Sequence, residues 1–145
     1  MSKITARQYH DLMTAEAPWY AESGLTLDHI GPGTATLKQP FDEKILRPGG
    51  TVSGPAMFTL ADCTFYVATL AMIGREALAV TTSLSINFLR KPARCDLIGE
   101  ARILKLGKHL SVGDVTLYSA GDDRPVAHAA MTYAIPSRNV ARNLG

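Results

Sequence analysis

Asp62 is the only charged residue in an apolar run spanning residues 52–73, and a glycine-rich stretch, GGTVSGP, leads into that run. An unpartnered carboxylate is costly to bury, so such a group needs a hydrogen-bond donor, a proton or a chemical role. The glycine-rich loop, running into a helix, leaves free backbone N–H groups at the helix N-terminus, where developing negative charge is stabilised. A lone carboxylate combined with a helix-end anion site suits chemistry on a carbonyl. On a helix, Asp62 shares a stripe with Pro55, Phe58, Thr59, Phe65, Tyr66 and Thr69. These neighbours strip water from it and favour its protonated form, unless Tyr66, a threonine or a backbone group donates to the charged form. A carboxylate so placed can act as a base or nucleophile near neutral pH. The alternative is a core aspartate bonded to a neighbouring hydroxyl.

Other chemistries have little support. His10, His29, His109 and His128 show no metal-ligand spacing. No phosphate-binding loop, dinucleotide fingerprint or serine nucleophile elbow is present. Cofactors are therefore not expected. A net charge of +2 is too small to imply nucleic acid. Cys63 lies in the apolar run and Cys95 in a polar loop, a poor basis for a disulfide, and Cys63 reads as a packing residue.

The elements that must position these groups can be read from pattern. With 145 residues, 46% of them apolar and 19% charged, the chain is expected to form one globular domain. Residues 1–23 read as an N-terminal helical segment, with Thr5 as cap and Tyr9, Leu12 and Met13 on one face. Residues 25–30 and 34–38 read as strands joined by a GPG turn. Pro55 suits a first helical turn, and Gly74 supplies the stop after Ile73. The run is long enough to raise a membrane question, but its central Asp62 and its Ser and Thr residues favour a buried core helix in a cytoplasmic protein. A helix apolar all round must be surrounded by protein.

Residues 78–90 alternate cleanly, with Leu78, Val80, Leu84, Ile86 and Phe88 on one face and Thr81, Ser83, Ser85 and Asn87 on the other. Residues 96–106 lose parity near Ile103, which predicts a bulge. Gly107-Lys108 fits a two-residue hairpin turn. Strands at 110–118 and 126–135 complete a four-strand meander, and residues 137–145 read as a frayed tail. Hairpin-length links imply an antiparallel sheet. The expected fold is therefore α+β, with a curved sheet wrapped around the central helix.

This order, together with SGPAMFTLAD, AVTTSLSINFLRKPARCDL, EARILKLGKHLSVGDVTLYS and the closing VAHAAMTYAIP, resembles the hot-dog thioesterase superfamily, in particular the phenylacetyl-CoA thioesterases and the related 4-hydroxybenzoyl-CoA thioesterases. The resemblance implies hydrolysis of an acyl-CoA thioester. It implies that Asp62 is the family's acidic residue, that Gly54 donates its backbone N–H to the oxyanion, and that Thr81 holds the attacking water. It also implies an active site at a dimer interface. The family's histidine is Ser53 here, its second glycine is Pro55, and its upstream amide side chain falls near Arg47.

The spacing itself bears on the two-chain expectation. Eight residues of helix span about 12 Å at 1.5 Å per residue. One helix therefore cannot bring both Gly54 and Asp62 to a single thioester, whereas two antiparallel helices from two chains can. A homodimer, or a tetramer of two dimers, is expected. Arg90, Lys91 and Arg94, with Lys105 and Lys108 near the hairpin turn, can meet CoA phosphates or simply face solvent. Arg47 can pair with a carboxylated acyl group, with a CoA phosphate, or with water. Met57, Phe58, Phe65 and Tyr66 can line an acyl pocket or be core. A hot-dog hydratase would need a histidine beside the acid, and none lies near the loop-helix. A non-catalytic acyl-CoA-binding protein is the remaining alternative.

Overall fold

The computed structural model describes residues 1–136, so the frayed-tail expectation lies outside the described residues. The elements run α1 (Ala6–Glu16), α2 (Trp19–Ser23), β1 (Thr26–Gly31), β2 (Thr34–Gln39), α3 (Gly54–Ile73), β3 (Val80–Phe88), β4 (Leu97–Leu106), β5 (Leu110–Ser119) and β6 (Pro125–Ala134). The six strands form one antiparallel sheet in the order β1-β2-β4-β5-β6-β3. The sheet wraps α3, which is the hot-dog arrangement.

Local chemistry explains the helix ends. Thr5 and Gln8 form a reciprocal capping box at α1. Ser53 caps α3, its Oγ accepting from the Ala56 N–H at 3.2 Å, with Pro55 in the first turn. Gly74 ends α3 at φ 88°, a conformation that costs other residues dearly, and its N–H returns to the Leu70 carbonyl. Leu60, Val67, Ala68 and Leu70 on α3 are buried with Leu37, Leu97, Val115, Leu117 and Met131 from the sheet. Buried polar groups on α3 are satisfied within the protein. Thr64 donates to the Leu60 carbonyl at 2.5 Å, and Thr69 shares a 3.1 Å hydrogen bond with Ser111. α3 is long and apolar enough to cross a membrane by composition alone, but 61% of its apolar window is packed inside the fold.

Three expectations change. First, the last four strands are not a simple meander, because β3 pairs with β6 at the sheet edge rather than with β4. The link over residues 89–96 carries the chain across the ends of β6 and β5. The Leu89 N–H donates to the Val126 carbonyl, the Ala93 N–H to Ser119 Oγ and the Ala120 N–H to the Asp96 carbonyl. Alternation fixes the faces of a strand but not its neighbours. Second, α3 is not covered all round. Pro55 and Thr59 are exposed and Phe58 is 43% exposed, beside an edge strand whose Val80 and Phe88 are 54% and 53% exposed. Third, the β4–β5 turn contains three residues, 107–109. The predicted bulge is present between Ile103 and Lys105. Opposite it, Gly113 packs so closely that an added Cβ would lie 2.8 Å from the Phe65 ring.

Candidate active site

Asp62 is half-buried on the uncovered stripe of α3. Its Oδ1 accepts two short hydrogen bonds, each 2.6 Å, from Thr81 Oγ1 and from the Tyr133 hydroxyl. The Tyr133 hydroxyl also lies 3.0 Å from the Asp62 carbonyl. Oδ2 has no hydrogen-bond partner among the described residues. Two donors therefore hold one oxygen and leave the other free to act. Tyr133, rather than Tyr66, is the tyrosine donor. Burial, then the Asp62 charge beside it, pushes its hydroxyl far above the ordinary tyrosine range, so it keeps its proton.

Sheet register explains how two strands deliver two donors to one atom. Thr81 and Tyr133 are cross-strand partners in the β3–β6 ladder, and the register shifts immediately afterwards, between Thr81 and Ser83. Simple alternation places Thr81 with Ser83, Ser85 and Asn87. The bulge at Thr82 reverses that parity, so Thr81 faces the helix together with Leu84 and Ile86, which pair with Met131 and Ala129. Val80 is correspondingly turned outward. Sequence reasoning missed Tyr133. The signal available was the alternation of β6, where Ala127, Ala129, Met131 and Tyr133 are all buried on the helix side.

Gly54 lies two turns away in a different cavity of about 400 Å³, lined also by Arg47, Met57, Phe88, Arg90 and Lys91. The Gly54 amide, the first of α3, makes no hydrogen bond among the described residues. The Phe88 ring is the nearest group to its open side, at 3.4 Å from an ideal Cβ. The Asp62 cavity holds about 300 Å³ and is lined by Tyr66, Cys63, Tyr133, Leu78 and residues of the N-terminal helices. Burial, then the Glu16 charge, lifts the Tyr66 hydroxyl to about 12. Burial, then the Asp62 charge, lifts the Cys63 thiol to about 12. Both are neutral near pH 7.

The structure thus brings Arg47, Arg90 and Lys91 to Gly54, and Thr81 and Tyr66 to Asp62. Met57 also lines the Gly54 cavity, and the remaining sequence candidates line neither cavity. The Ser53 hydroxyl is engaged as the helix cap. Pro55 and Phe58 sit on the uncovered stripe. Arg94 donates to the Gly50 carbonyl at 3.1 Å and stacks over Phe41, bracing the glycine-rich loop. Lys105 and Lys108 are exposed at the β4–β5 hairpin. Phe65 is fully buried core. Among the described residues, no group of three or more His, Cys, Asp or Glu side chains is placed to hold a metal ion.

The thioesterase superfamily profile matches residues 49–126, which include the glycine-rich loop, α3, strands β3 to β5 and the start of β6. The chain belongs to the thioesterase superfamily. It is a thioester hydrolase by that membership. A candidate esterase from Saccharolobus solfataricus is 31% identical over 114 residues, covering 77% of this chain and 73% of that protein. The crystal structure of a candidate thioesterase from Silicibacter sp. TM1040 is 44% identical, with a TM-score of 0.85 over 94% of this chain and 95% of that one. A phenylacetic acid degradation protein from Thermus thermophilus shares the fold, with a TM-score of 0.72 at 23% identity over 82% of this chain and 99% of that one.

Proposed function

We propose that the thioester cleaved is an acyl-CoA, and that each active site combines Asp62 of one chain with Gly54 of a second. The observation that carries this reading is the state of Asp62. Its Oδ1 is held by Thr81 and Tyr133 while Oδ2 is free, on a surface left uncovered by its own chain. The Asp62 carboxylate acts on the thioester carbonyl through Oδ2, either by taking a proton from water or by direct attack. The Gly54 N–H, at the positive end of α3, stabilises the oxyanion. Collapse of the tetrahedral intermediate expels the CoA thiolate, which takes up a proton. On the direct-attack route water then hydrolyses the acyl anhydride on Asp62, and on either route the net reaction adds water to give the free acid and CoA thiol.

The edge strand supports the two-chain geometry. Thr81 lies at the Asp62 end of β3 and Phe88 at the Gly54 end. Antiparallel pairing of two β3 edges about a two-fold axis between Leu84 and Ser85 sets Thr81 of one chain beside Phe88 of the other. Asp62 then meets the second chain's Gly54, and the uncovered Phe58 and Phe88 become covered.

Charge gives the substrate its direction. The Gly54 cavity carries Arg47, Arg90 and Lys91, suited to CoA phosphates, whereas the Asp62 cavity carries no cation. Of the roles open to Arg47, phosphate binding is the one its position favours. Testing requires a panel of acyl-CoAs assayed for free thiol release by the parent and by Asp62→Asn. The expected result is hydrolysis by the parent and a loss of at least about a hundredfold in the variant, which keeps the fold. Binding without thiol release by the parent would instead indicate an acyl-CoA-binding protein.

A further inference from the structure

The cavity beside Asp62 is walled on one side by residues that precede the family match. Leu12, Met13, Glu16, Ala17 and Trp19 all line it, and the superfamily profile begins at residue 49. These residues come from α1, its C-cap and the start of α2. The unit is firmly seated. Ile4, Tyr9, Leu12, Met13 and Tyr20 are buried, and Tyr9 and Tyr20 meet edge to face with centroids 5.7 Å apart. The Lys3 N–H also donates to the Ala71 carbonyl near the end of α3 at 2.7 Å. Trp19 is different, lining the cavity while 49% exposed.

We propose that the α1–α2 unit is the acyl-end wall of the active site, selecting short, uncharged acyl groups through the Trp19 indole and the Glu16 carboxylate. This rests on the thioester-hydrolase reading of Asp62. Size follows from the volume, since about 300 Å³ is at the small end of ligand pockets, which run from roughly 300 to 1,000 Å³. Apolar character follows from Leu12, Met13, Trp19 and Leu78 in the lining. Discrimination against anions follows from the ionisable groups there. Asp62 and Glu16 are both carboxylates, Cys63, Tyr66 and Tyr133 are neutral, and this chain's own lining of the cavity contributes no cation. An acyl chain ending in a carboxylate would meet like charge in a half-dry space. The unit thus tunes a superfamily core without contributing to the bond-breaking step.

Trp19 is the single tryptophan of the chain, so its emission reports this wall directly. A non-hydrolysable hexanoyl-CoA thioether should change that emission, whereas CoA alone should not. In thiol-release assays, Trp19→Ala should raise the palmitoyl-to-hexanoyl ratio of kcat/KM by roughly tenfold. Glu16→Gln should raise the glutaryl-to-hexanoyl ratio by a similar factor, as expected for relieving one like-charge contact. Both positions are exposed, and melting curves check that each variant folds. If the parent hydrolyses acyl-CoAs while both ratios and the Trp19 emission stay unchanged, the wall assignment is wrong and the catalytic reading stands. If the parent hydrolyses no acyl-CoA but the emission responds to the hexanoyl thioether alone, the wall assignment stands and the hydrolytic reading falls.

Discussion

At the residue scale, Asp62 is organised by two hydroxyls rather than by a charge. Thr81 and Tyr133 both donate to Oδ1, so they orient the carboxylate as a pair. Removing one leaves the other in place, and removing both frees the side chain. Thr81→Val and Tyr133→Phe are each expected to lower kcat by about tenfold with KM little changed, since neither lines the cationic Gly54 cavity. The double variant is expected to lose more than the product of the two single effects, because contacts sharing one atom are not additive. A double-mutant cycle on kcat checks this, and strictly multiplicative effects would show that the two donors act independently. Arg47 is tested by a different pattern. Arg47→Gln should raise KM several-fold for every acyl-CoA, neutral or carboxylated, with kcat preserved, as expected for a lost phosphate contact. A changed preference between acyl groups would place Arg47 at the acyl end instead.

At the element scale, α3 and β3 run antiparallel side by side, so one strand reaches both Asp62 and Gly54. Its bulge at Thr82 decides which side chains face the helix. A second bulge, in β4 at Leu104, lets the sheet curl around α3 where Gly113 meets Phe65. A methyl group at Gly113 would run into the Phe65 ring and the Arg102 carbonyl, and neither neighbour can move far. Gly113→Ala should therefore destabilise the fold by about 2 kcal/mol, in the range for overpacking a core. Urea denaturation checks this, and an unchanged midpoint would mean that the sheet relaxes freely at this point.

At the scale of the whole molecule, the uncovered α3 stripe and the β3 edge are consistent with a second copy of the chain. Asp62→Asn removes the carboxylate, and Gly54→Pro removes the amide at a helical position that tolerates proline. Each variant alone should be inactive. Co-refolded in equal amounts, they should recover about a quarter of parent activity, because half the dimers are mixed and each mixed dimer has one intact site. No recovery, with mixed dimers demonstrated by mass, would place Gly54 and Asp62 in separate functions. Alkaline stability is a second property of the whole fold. Cys63 and Tyr66 titrate near 12 in the folded chain, against ordinary values of 9.0 and 10.0, and Tyr9 and Tyr133 are pushed higher still. Their folded values are raised, so the unfolded chain releases these protons first. The stability they contribute is complete below pH 9 and is lost as pH rises toward 12. Melting temperature should be flat from about pH 7 to 8.5 and then fall steeply, in the window set by these thiol and phenol values.

The sequence by itself determined the elements and, apart from the start of β3, their inward faces. Thr5, Ser53 and Pro55 at helix starts, Gly74 at a helix end and the lone Asp62 in an apolar run are local signals, and local backbone chemistry is sufficient to read them. It also located the β4 bulge, because a parity break shows in the hydrophobic pattern. Only the tertiary structure decided that β3 lies beside β6. Pairing is chosen by long-range packing, and the 89–96 link reaches either neighbour. Only it revealed the β3 bulge, since Thr81, Thr82 and Ser83 are all small and polar and a parity change among them leaves no trace in hydropathy. That hidden half-turn carries Thr81 to Asp62 opposite Tyr133, joining residues 71 positions apart through hydrogen bonds that depend on register rather than on spacing along the chain.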